Sequence, residues 1–336
     1  MEKIMKKETS LIMKNNSLKR FGKWIYGYAA QLVFLVLLVI IMCFATPIFL
    51  QPSNLLNVMR QVSTNMCIAC AMTMVLIIGG IDLSVSSVMA VAGMVASYMS
   101  IAGAPFFICA LVGLLCGAFV GLINGLLMAY TNMAPFIVTY ATQSIVRGLV
   151  YVITVAGTLR LTDEAFLQFG GGYLGVFPRP VIYMVIIMII TTLILSRSAL
   201  GRHMYAIGGN PKAADFAGIN TRKVKIFIYT ITGICAALSG LILTSRNTSM
   251  QPSLGNGAEM DAIAAVVLGG TSMFGGQGAV FGTIIGAFII GIINNGLNLL
   301  GMDSFFQYIA KGIIILAAVY MDDIKNQRLI NGFSKK

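Results

Sequence analysis

The chain has 336 residues, of which 58% are hydrophobic and 10% are charged, and its mean hydropathy is +0.89. A soluble protein of this length would carry about 25% charged residues, so the composition excludes a soluble globular protein. The formal net charge of +12 does not indicate nucleic-acid binding, because the basic residues flank apolar runs and do not form a basic face with stacking aromatics.

Apolar runs of about 20 residues recur along the chain, which is typical of transmembrane helices. The predicted fold class is therefore all-α, a polytopic membrane protein with about ten transmembrane helices. The predicted spans, in chain order, are 24–48, 58–79, 84–103, 105–130, 134–155, 178–196, 224–245, 259–275, 279–300 and 305–321. The basic start has no small-residue cleavage site after it, which predicts an uncleaved first helix.

Basic residues concentrate in three polar segments. Of the 23 Lys and Arg residues, seven lie in 1–23, six in 197–225 and four in the last 25 residues. Because basic loops remain in the cytoplasm, we expect a cytoplasmic N-terminal tail (1–23), a transmembrane domain (24–322) with a cytoplasmic loop at 197–225, and a cytoplasmic C-terminal tail (323–336). Six predicted spans precede the loop and four follow it, and both even numbers agree with this topology.

Two Gly-rich breaks interrupt the apolar pattern, at 79–87 and 268–278, and each follows a run that ends in Gly-Gly. Interrupted helices at comparable positions in two halves of a chain indicate a transport pathway, and glycine permits backbone conformations that side chains forbid. The candidate gate residues in these breaks are Asp82, Ser84, Gly269 and Gly270. The structural alternative for Asp82 is a helix N-cap with Ser84.

Uncharged polar side chains also fall inside apolar spans. They either bond neighbouring helices or line a passage for a neutral polyhydroxylated solute. The candidates are Asn124, Thr139, Asn294, Asn295 and Asn298, together with Gln143 and Gln307. Among the charged residues, Arg147 and Lys311 are each expected to extend to the membrane surface, with lining of a pore as the alternative. Glu259 and Asp261 are expected to stabilise a helix N-terminus.

The residue types needed for catalysis are missing. The only histidine is His203, there is no GxxxxGK[ST] nucleotide loop, and no paired carboxylates mark a cleft. Cys67 and Cys70 form a CxxC inside an apolar span, where a packing role is commoner than a metal or redox role. We therefore expect no enzyme, no metal site and no cofactor, and any ATP hydrolysis must occur on another polypeptide.

The polar loop at 197–225 carries a short helical pattern, Lys212 to Phe216, between Gly/Asn/Pro turns. A short helix with such flanks is expected to be presented to a separate soluble subunit, although Phe216 could instead pack under its own membrane domain. The candidate coupling residues are Gly208, Gly209, Asn210, Pro211, Lys212, Ala213, Ala214, Phe216, Gly218 and Ile219.

Three segments carry a family resemblance: GGIDLSVSSVMAVAG from Gly79, LGRHMYAIGGNPKAADFAGIN from Leu200, and the long run from Ala258 to Met302. They resemble the ribose-type sugar permeases of ATP-binding-cassette importers, and the likeness extends from about Leu32 to Asp322. Ser86 stands where glycine is usual in the family.

The resemblance implies an importer permease fold in the bacterial plasma membrane, surrounded by membrane lipid. It implies a homodimer of two permease copies, cassette ATPases inside, an extracytoplasmic sugar-binding protein, and a coupling helix within Gly208 to Ile219. The expected function is translocation of a monosaccharide, ribose or a related sugar. Two alternatives remain. A self-sufficient ion-coupled carrier would need intramembrane acids, for which Asp82 is the main candidate, and an intramembrane enzyme would need a nucleophile and a base.

Overall fold

Helices make up most of the part of the chain that the structure describes. In this computed structural model the described residues are 28–303, 305–307, 309–310, 312–313, 316–317 and 320. The predicted tails, 1–23 and 323–336, and Lys311 lie outside them. In chain order the helices are α1 (Ala29–Ala45), α2 (Pro52–Ile77), α3 (Val85–Ile101), α4 (Phe106–Tyr130), α5 (Pro135–Ile153), α6 (Glu164–Gly171), α7 (Arg179–Arg197), α8 (Ala199–Gly209), α9 (Pro211–Phe216), α10 (Thr221–Arg246), α11 (Ala258–Leu268) and α12 (Val280–Leu299).

Within the described residues, six helices are long and apolar enough to cross a membrane: α2, α4, α5, α7, α10 and α12. The helices α1 and α3 are apolar but shorter. The expectation of a polytopic, mostly helical protein is therefore confirmed, whereas the count of ten spans is not. The predicted span 305–321 is described only in part.

The predicted span 259–275 is wrong in its length. Helix α11 ends at Leu268, and Gly270 then adopts a φ of +87°. A positive φ ends an α-helix and is accessible to glycine without steric cost. The interruption expected from the sequence thus shortens this helix.

Proline defines where several long helices begin. Pro52 and Pro135 are the first residues of α2 and α5, and each follows an extended residue, Gln51 and Ala134 respectively. Proline has no N–H to leave unpaired in the first helical turn, and it favours an extended conformation in the residue before it.

The chain is not purely α-helical, because four short strands form two small antiparallel sheets. The strand β1 (Leu159–Arg160) pairs with β4 (Ser249–Met250), and β2 (Tyr173–Leu174) pairs with β3 (Phe177–Pro178). The strands β1, β2 and the start of β3 lie with α6 in the segment between the predicted spans 134–155 and 178–196, whereas β4 follows α10.

Helices α2 and α10 form the centre of the bundle. The second half of α2, Met66 to Ile77, is almost completely buried, and α2 contacts α7, α10, α11 and α12. The outer helices α4 and α5 instead expose large apolar side chains such as Phe119 and Ile145. This distribution is expected where the solvent of the outer faces is lipid.

Helix α4 lies unusually close to α10 along a row of glycines. The row is Gly113, Gly117, Gly121 and Gly125, which share one helix face because they are four residues apart. A Cβ at Gly125 would lie 2.7 Å from the Cα of Ile226, and one at Gly121 would collide with the carbonyl oxygen of Tyr229. Small residues of this spacing allow the backbones of membrane helices to approach closely.

Candidate functional site

A chain of buried hydrogen bonds joins α3, α4 and α5 at the first break. The Asp82 carboxylate accepts from the backbone N–H of Ser84 at 2.9 Å and from its hydroxyl at 2.6 Å. The Ser84 Oγ accepts from the Asn124 side-chain amide at 2.9 Å, and Thr142 donates to the Asn124 carbonyl oxygen at 2.7 Å. The structure thus brings Asp82, Ser84 and Asn124 together, and they use their hydrogen-bonding groups on one another. This arrangement favours the helix-bonding alternative for Asn124 and the N-cap alternative for Asp82 with Ser84.

The carbonyl oxygen of Ile81 lies next to this chain, where no helix supplies it with a partner. The Tyr229 hydroxyl donates to it at 3.3 Å, and the single Thr139 hydroxyl proton is shared between it, at 3.3 Å, and the Pro135 carbonyl oxygen, at 2.9 Å. A Cβ at Gly80 would lie 2.7 Å from the Tyr229 hydroxyl oxygen. Buried backbone acceptors are nearly always paired, so Thr139 and Tyr229 fix the position of the first break.

The two breaks meet the end of α8 at one place, which we call the glycine junction and define as Gly79, Gly208, Gly275 and Gly276. The N–H of Gly276 donates to the Ile77 carbonyl oxygen at 2.8 Å. A Cβ at Gly208 would collide with both of those groups. A Cβ at Gly275 would lie 3.0 Å from the Gly208 carbonyl oxygen and 3.0 Å from the Gly79 nitrogen. In the sequence the breaks and the loop at 197–225 are separate features, and the signal for this contact is the Gly-Gly pair that each of them contains.

The short helix predicted over Lys212 to Phe216 is present as α9. The Asn210 side chain caps it by accepting from the Ala213 N–H at 3.0 Å. At the other end Gly218 has a φ of +81°, and the Ile219 N–H donates to the Ala214 carbonyl oxygen at 3.1 Å. This is a Schellman-type end, so both flanks hold the short helix in place.

Two details of the loop at 197–225 differ from the expectation. Gly208 and Gly209 do not form a turn but are the last residues of α8. Ala214 is buried within the chain, whereas Phe216 is 93% exposed. Phe216 therefore does not pack under the described part of its own membrane domain.

The break after α11 is built on close packing against α12. A Cβ at Gly269 would collide with the backbone of Gly282 in α12. Gly270, with its positive φ, lies near the side chain of Gln31, whose amide nitrogen would be 3.1 Å from a Cβ at position 270. Both candidate gate glycines are therefore required by the backbone path itself.

A polar cavity of about 230 Å³ lies between α2, α10, α11 and α12. Its polar lining residues are Gln61, Thr64, Asn65, Arg246, Asp261, Asn294 and Gln307. The Asn294 amide donates to Asp261 Oδ2 at 3.3 Å. Asp261 therefore bonds α11 to α12, in addition to its place in the first turn of α11. Gln61 is 16 residues before Ile77 on α2, and a rise of 1.5 Å per residue therefore puts Gln61 about 24 Å along the helix from Ile77.

Of these lining residues, only Asn294 and Gln307 are pathway candidates from the sequence. The missed signal was the spacing of Gln61 and Asn65, four residues apart in an apolar helix, which puts two amides on one face. The position of Arg246 in the cavity was not predicted, because a basic residue is common at the end of an apolar span.

The two other candidate asparagines of α12 do not line this cavity. Asn295 and Asn54 form a buried reciprocal amide pair, with N···O distances of 3.1 and 2.8 Å, and Asn54 also donates to the Phe49 carbonyl oxygen at 2.9 Å. Asn298 is exposed and accepts from Gln307 at 2.7 Å. Asn295 thus bonds α12 to α2, as the helix-bonding alternative describes.

Two further polar residues have positions that the sequence did not indicate. Arg147 does not extend to the surface, because its Nη1 donates to the carbonyl oxygens of Pro252 and Leu254 at 2.6 and 2.8 Å. Ser86, at the usual glycine position of the family, is buried, and its hydroxyl accepts from Gln143 at 3.3 Å.

Within the described residues, no group of three or more His, Cys, Asp or Glu side chains is placed to hold a metal ion. Cys67 and Cys70 are buried free thiols.

Comparison with known proteins places the chain in a family. The model for the family described as branched-chain amino acid transport system / permease component matches residues 54–319. The ribose import permease protein of Bacillus subtilis (strain 168) is 47% identical over 294 residues, which is 87% of this chain and 91% of that protein. The corresponding protein of Haemophilus influenzae is 44% identical over 293 residues, 86% of this chain and 91% of the relative. The D-allose transport system permease protein of Escherichia coli (strain K12) is 36% identical over 293 residues, 86% of this chain and 90% of the relative.

No solved structure matches the chain at a significant level. The family match spans most of the chain, and the relatives align over nearly their whole length, so the predicted resemblance to ribose-type permeases is confirmed. The chain belongs to the branched-chain amino acid transport system / permease component family of membrane transport proteins.

Proposed function

We propose that the chain is the membrane-spanning translocation subunit of an ATP-driven importer for ribose or a closely related monosaccharide. The observation that carries this proposal is the 47% and 44% identity to two ribose import permeases over 86–87% of the chain. The D-allose permease is less similar, at 36%. The family description names branched-chain amino acids, but the relatives above are sugar permeases, and the amide-rich polar cavity suits a neutral hydroxylated solute.

The chain works with separate partners in this proposal. Cassette ATPase subunits hydrolyse ATP on one side of the membrane, and a sugar-binding protein delivers the substrate on the other. A second copy of the chain completes the membrane pathway. The chain itself catalyses no reaction.

The proposed topology has ten membrane segments, with both termini and the loop at 197–225 in the cytoplasm. The short helices α1, α3 and α11 and the segment 305–321 are added to the six long spans. Their shortness is compatible with membrane burial where a break is surrounded by protein. The break between α2 and α3 is of this kind at Asp82, Leu83 and Ser84, which are buried.

Helix α9 is the proposed coupling element. Its exposed Phe216 offers an apolar anchor for an ATPase groove, while buried Ala214 connects α9 to its own chain. The glycine junction links the end of α8, next to α9, with both breaks. A displacement of α9 by the ATPase would therefore act on both breaks together, and Gly269 and Gly270 would carry it to α12.

The ion-coupled carrier is less well supported. Its main candidate, Asp82, is buried and bonded to Ser84 by two hydrogen bonds. A proton relay needs a carboxylate that exchanges protons with a passage, whereas this one stabilises the start of α3.

Reconstitution in lipid vesicles tests the proposal. The chain would be assembled with and without a cassette ATPase and a sugar-binding protein from the same organism, and the uptake of radiolabelled ribose, allose, xylose and leucine would be measured. We expect ribose uptake only with both partners and ATP. Uptake by the chain alone under an ion gradient, or uptake of leucine in preference to sugars, would contradict the proposal.

A further inference from the structure

We propose that the polar cavity between α2, α10, α11 and α12 is a binding site that holds one neutral monosaccharide during its passage. The inference rests on the proposed function and adds a defined location and ligand chemistry to it. The residues that would carry the site are Gln61, Asn65, Arg246, Asp261 and Asn294.

The first argument is that the cavity offers hydrogen-bonding groups that the described protein does not use. Gln61 and Asn65 line it one helical turn apart, and neither side chain has a hydrogen-bond partner among the described residues. The Asn294 carbonyl oxygen is buried and has no partner there either. A buried polar group without a partner costs about 1–3 kcal/mol, and the hydroxyls of a bound sugar would supply such partners.

The second argument concerns charge. The described charged residues that line the cavity are one cation, Arg246, and one anion, Asp261. Their formal charges cancel, so the site attracts neither an anionic nor a cationic solute strongly. Amides both donate and accept hydrogen bonds, as sugar hydroxyls do, and this matches a neutral polyhydroxylated molecule better than a sugar phosphate.

The third argument concerns shape. The walls between the polar groups are apolar, and they include Val62, Ile68 and Leu243. Such walls suit the C–H groups of a sugar ring. Pockets for drug-sized ligands span about 300–1,000 Å³, so a cavity of about 230 Å³ suits a single small ring rather than a longer saccharide.

The first experiment uses the complete reconstituted transporter, with saturating sugar-loaded binding protein. Gln61→Leu and Asn65→Leu each remove an amide that makes no described internal hydrogen bond, so we expect both variants to fold and to assemble with the ATPase. Loss of one neutral hydrogen bond to the solute should lower the maximal uptake about two- to tenfold. Gln51→Leu is the matched control, because Gln51 is an exposed amide just before the same helix with no capping bond, and it should transport at the wild-type rate.

A second experiment needs no ATPase. In a variant whose six natural cysteines are replaced, Asn65→Cys would be labelled by a small hydrophilic thiol reagent. Ribose should slow the labelling, whereas ribose 5-phosphate should not.

Three outcomes would overturn the inference: wild-type uptake by both leucine variants, labelling of position 65 that ribose does not slow, or equal protection by the phosphate. Failure of the wild-type complex to import any sugar would instead reject the proposed function, so the two failures are distinguishable.

Discussion

Gly208 lies against the carbonyl oxygen of Ile77, so close that a Cβ at position 208 would overlap it. The same carbonyl oxygen accepts from the N–H of Gly276. The contact joins the end of α8, which leads into α9, to the end of α2 and to the loop after α11. Residues some 130 positions apart in the sequence thus share one backbone contact.

The first prediction is that Gly208→Ala blocks transport. The added methyl group must push apart Ile77 and Gly276, and overpacking of this kind costs about 1–3 kcal/mol. We expect sugar uptake to fall at least as strongly as ATP hydrolysis in the reconstituted complex. Gly209→Ala is the control, because a Cβ at Gly209 meets no atom within 4 Å and both residues end the same helix. Equal uptake by the two variants would show that the junction tolerates displacement.

The second prediction concerns Phe216. Because its side chain is 93% exposed in the chain alone, Phe216→Ser should leave the permease folded. If an ATPase groove buries the ring, the substitution removes about 1.5–3 kcal/mol of binding free energy, which is roughly a 10- to 150-fold weaker complex. Copurification and titration of the ATPase would measure it.

Phe177→Ser provides the matched control for this experiment, since Phe177 is an exposed phenylalanine in the β2–β3 hairpin. It should not change ATPase binding. Unchanged affinity of the Phe216→Ser variant would mean that α9 is not the docking element. Ala214→Asp is a less specific probe, because Ala214 is buried within the chain itself.

The third prediction concerns the amide pair between Asn54 and Asn295. Asn295→Leu leaves the Asn54 side-chain carbonyl oxygen without its donor, and an unsatisfied buried group costs about 1–3 kcal/mol. The thermal unfolding temperature in detergent should fall. The double variant Asn54→Leu/Asn295→Leu should recover part of the loss, with the remainder due to the lost bond to Phe49. Fully additive losses would show that the pair does not interact.

The fourth prediction is topological. In a cysteine-free variant, Asp163→Cys should react with a membrane-impermeant reagent added outside, and Lys212→Cys should react only after the membrane is permeabilised. The reason is that basic loops stay inside, while Asp163 caps α6 in the segment between α5 and α7. Labelling of position 212 from outside would refute the proposed ten-segment topology.

Much of the helical layout could be predicted from the sequence. A helix that spans lipid needs a long apolar run, and such runs are visible in the sequence. The predicted span 105–130, for example, differs from the observed α4 by one residue at its start. The length of α11 was not predictable from hydropathy, because apolar residues continue past Leu268 while the backbone turns at Gly270.

The candidate site was predicted less completely. Residue type identified Asp82, Ser84 and Asn124 as candidates. It could not show whether these side chains bond one another or line a passage. Only the tertiary structure shows which polar side chains line a cavity. Gln61 and Arg246, for example, line the same cavity from different helices. The short helix α9 was found because Asn210 and Gly218 are strong local signals for helix ends.

The glycine row of α4 determines which helices move together. Backbone contact at Gly117, Gly121 and Gly125 leaves no side-chain layer in which α10 could slide or roll. We therefore expect the two helices to move as one rigid body in the proposed transport cycle. Since α10 begins five residues after α9 ends, this body would carry a displacement of α9 into the bundle, and the hinges would lie where the backbone has no such constraint, on either side of the pair.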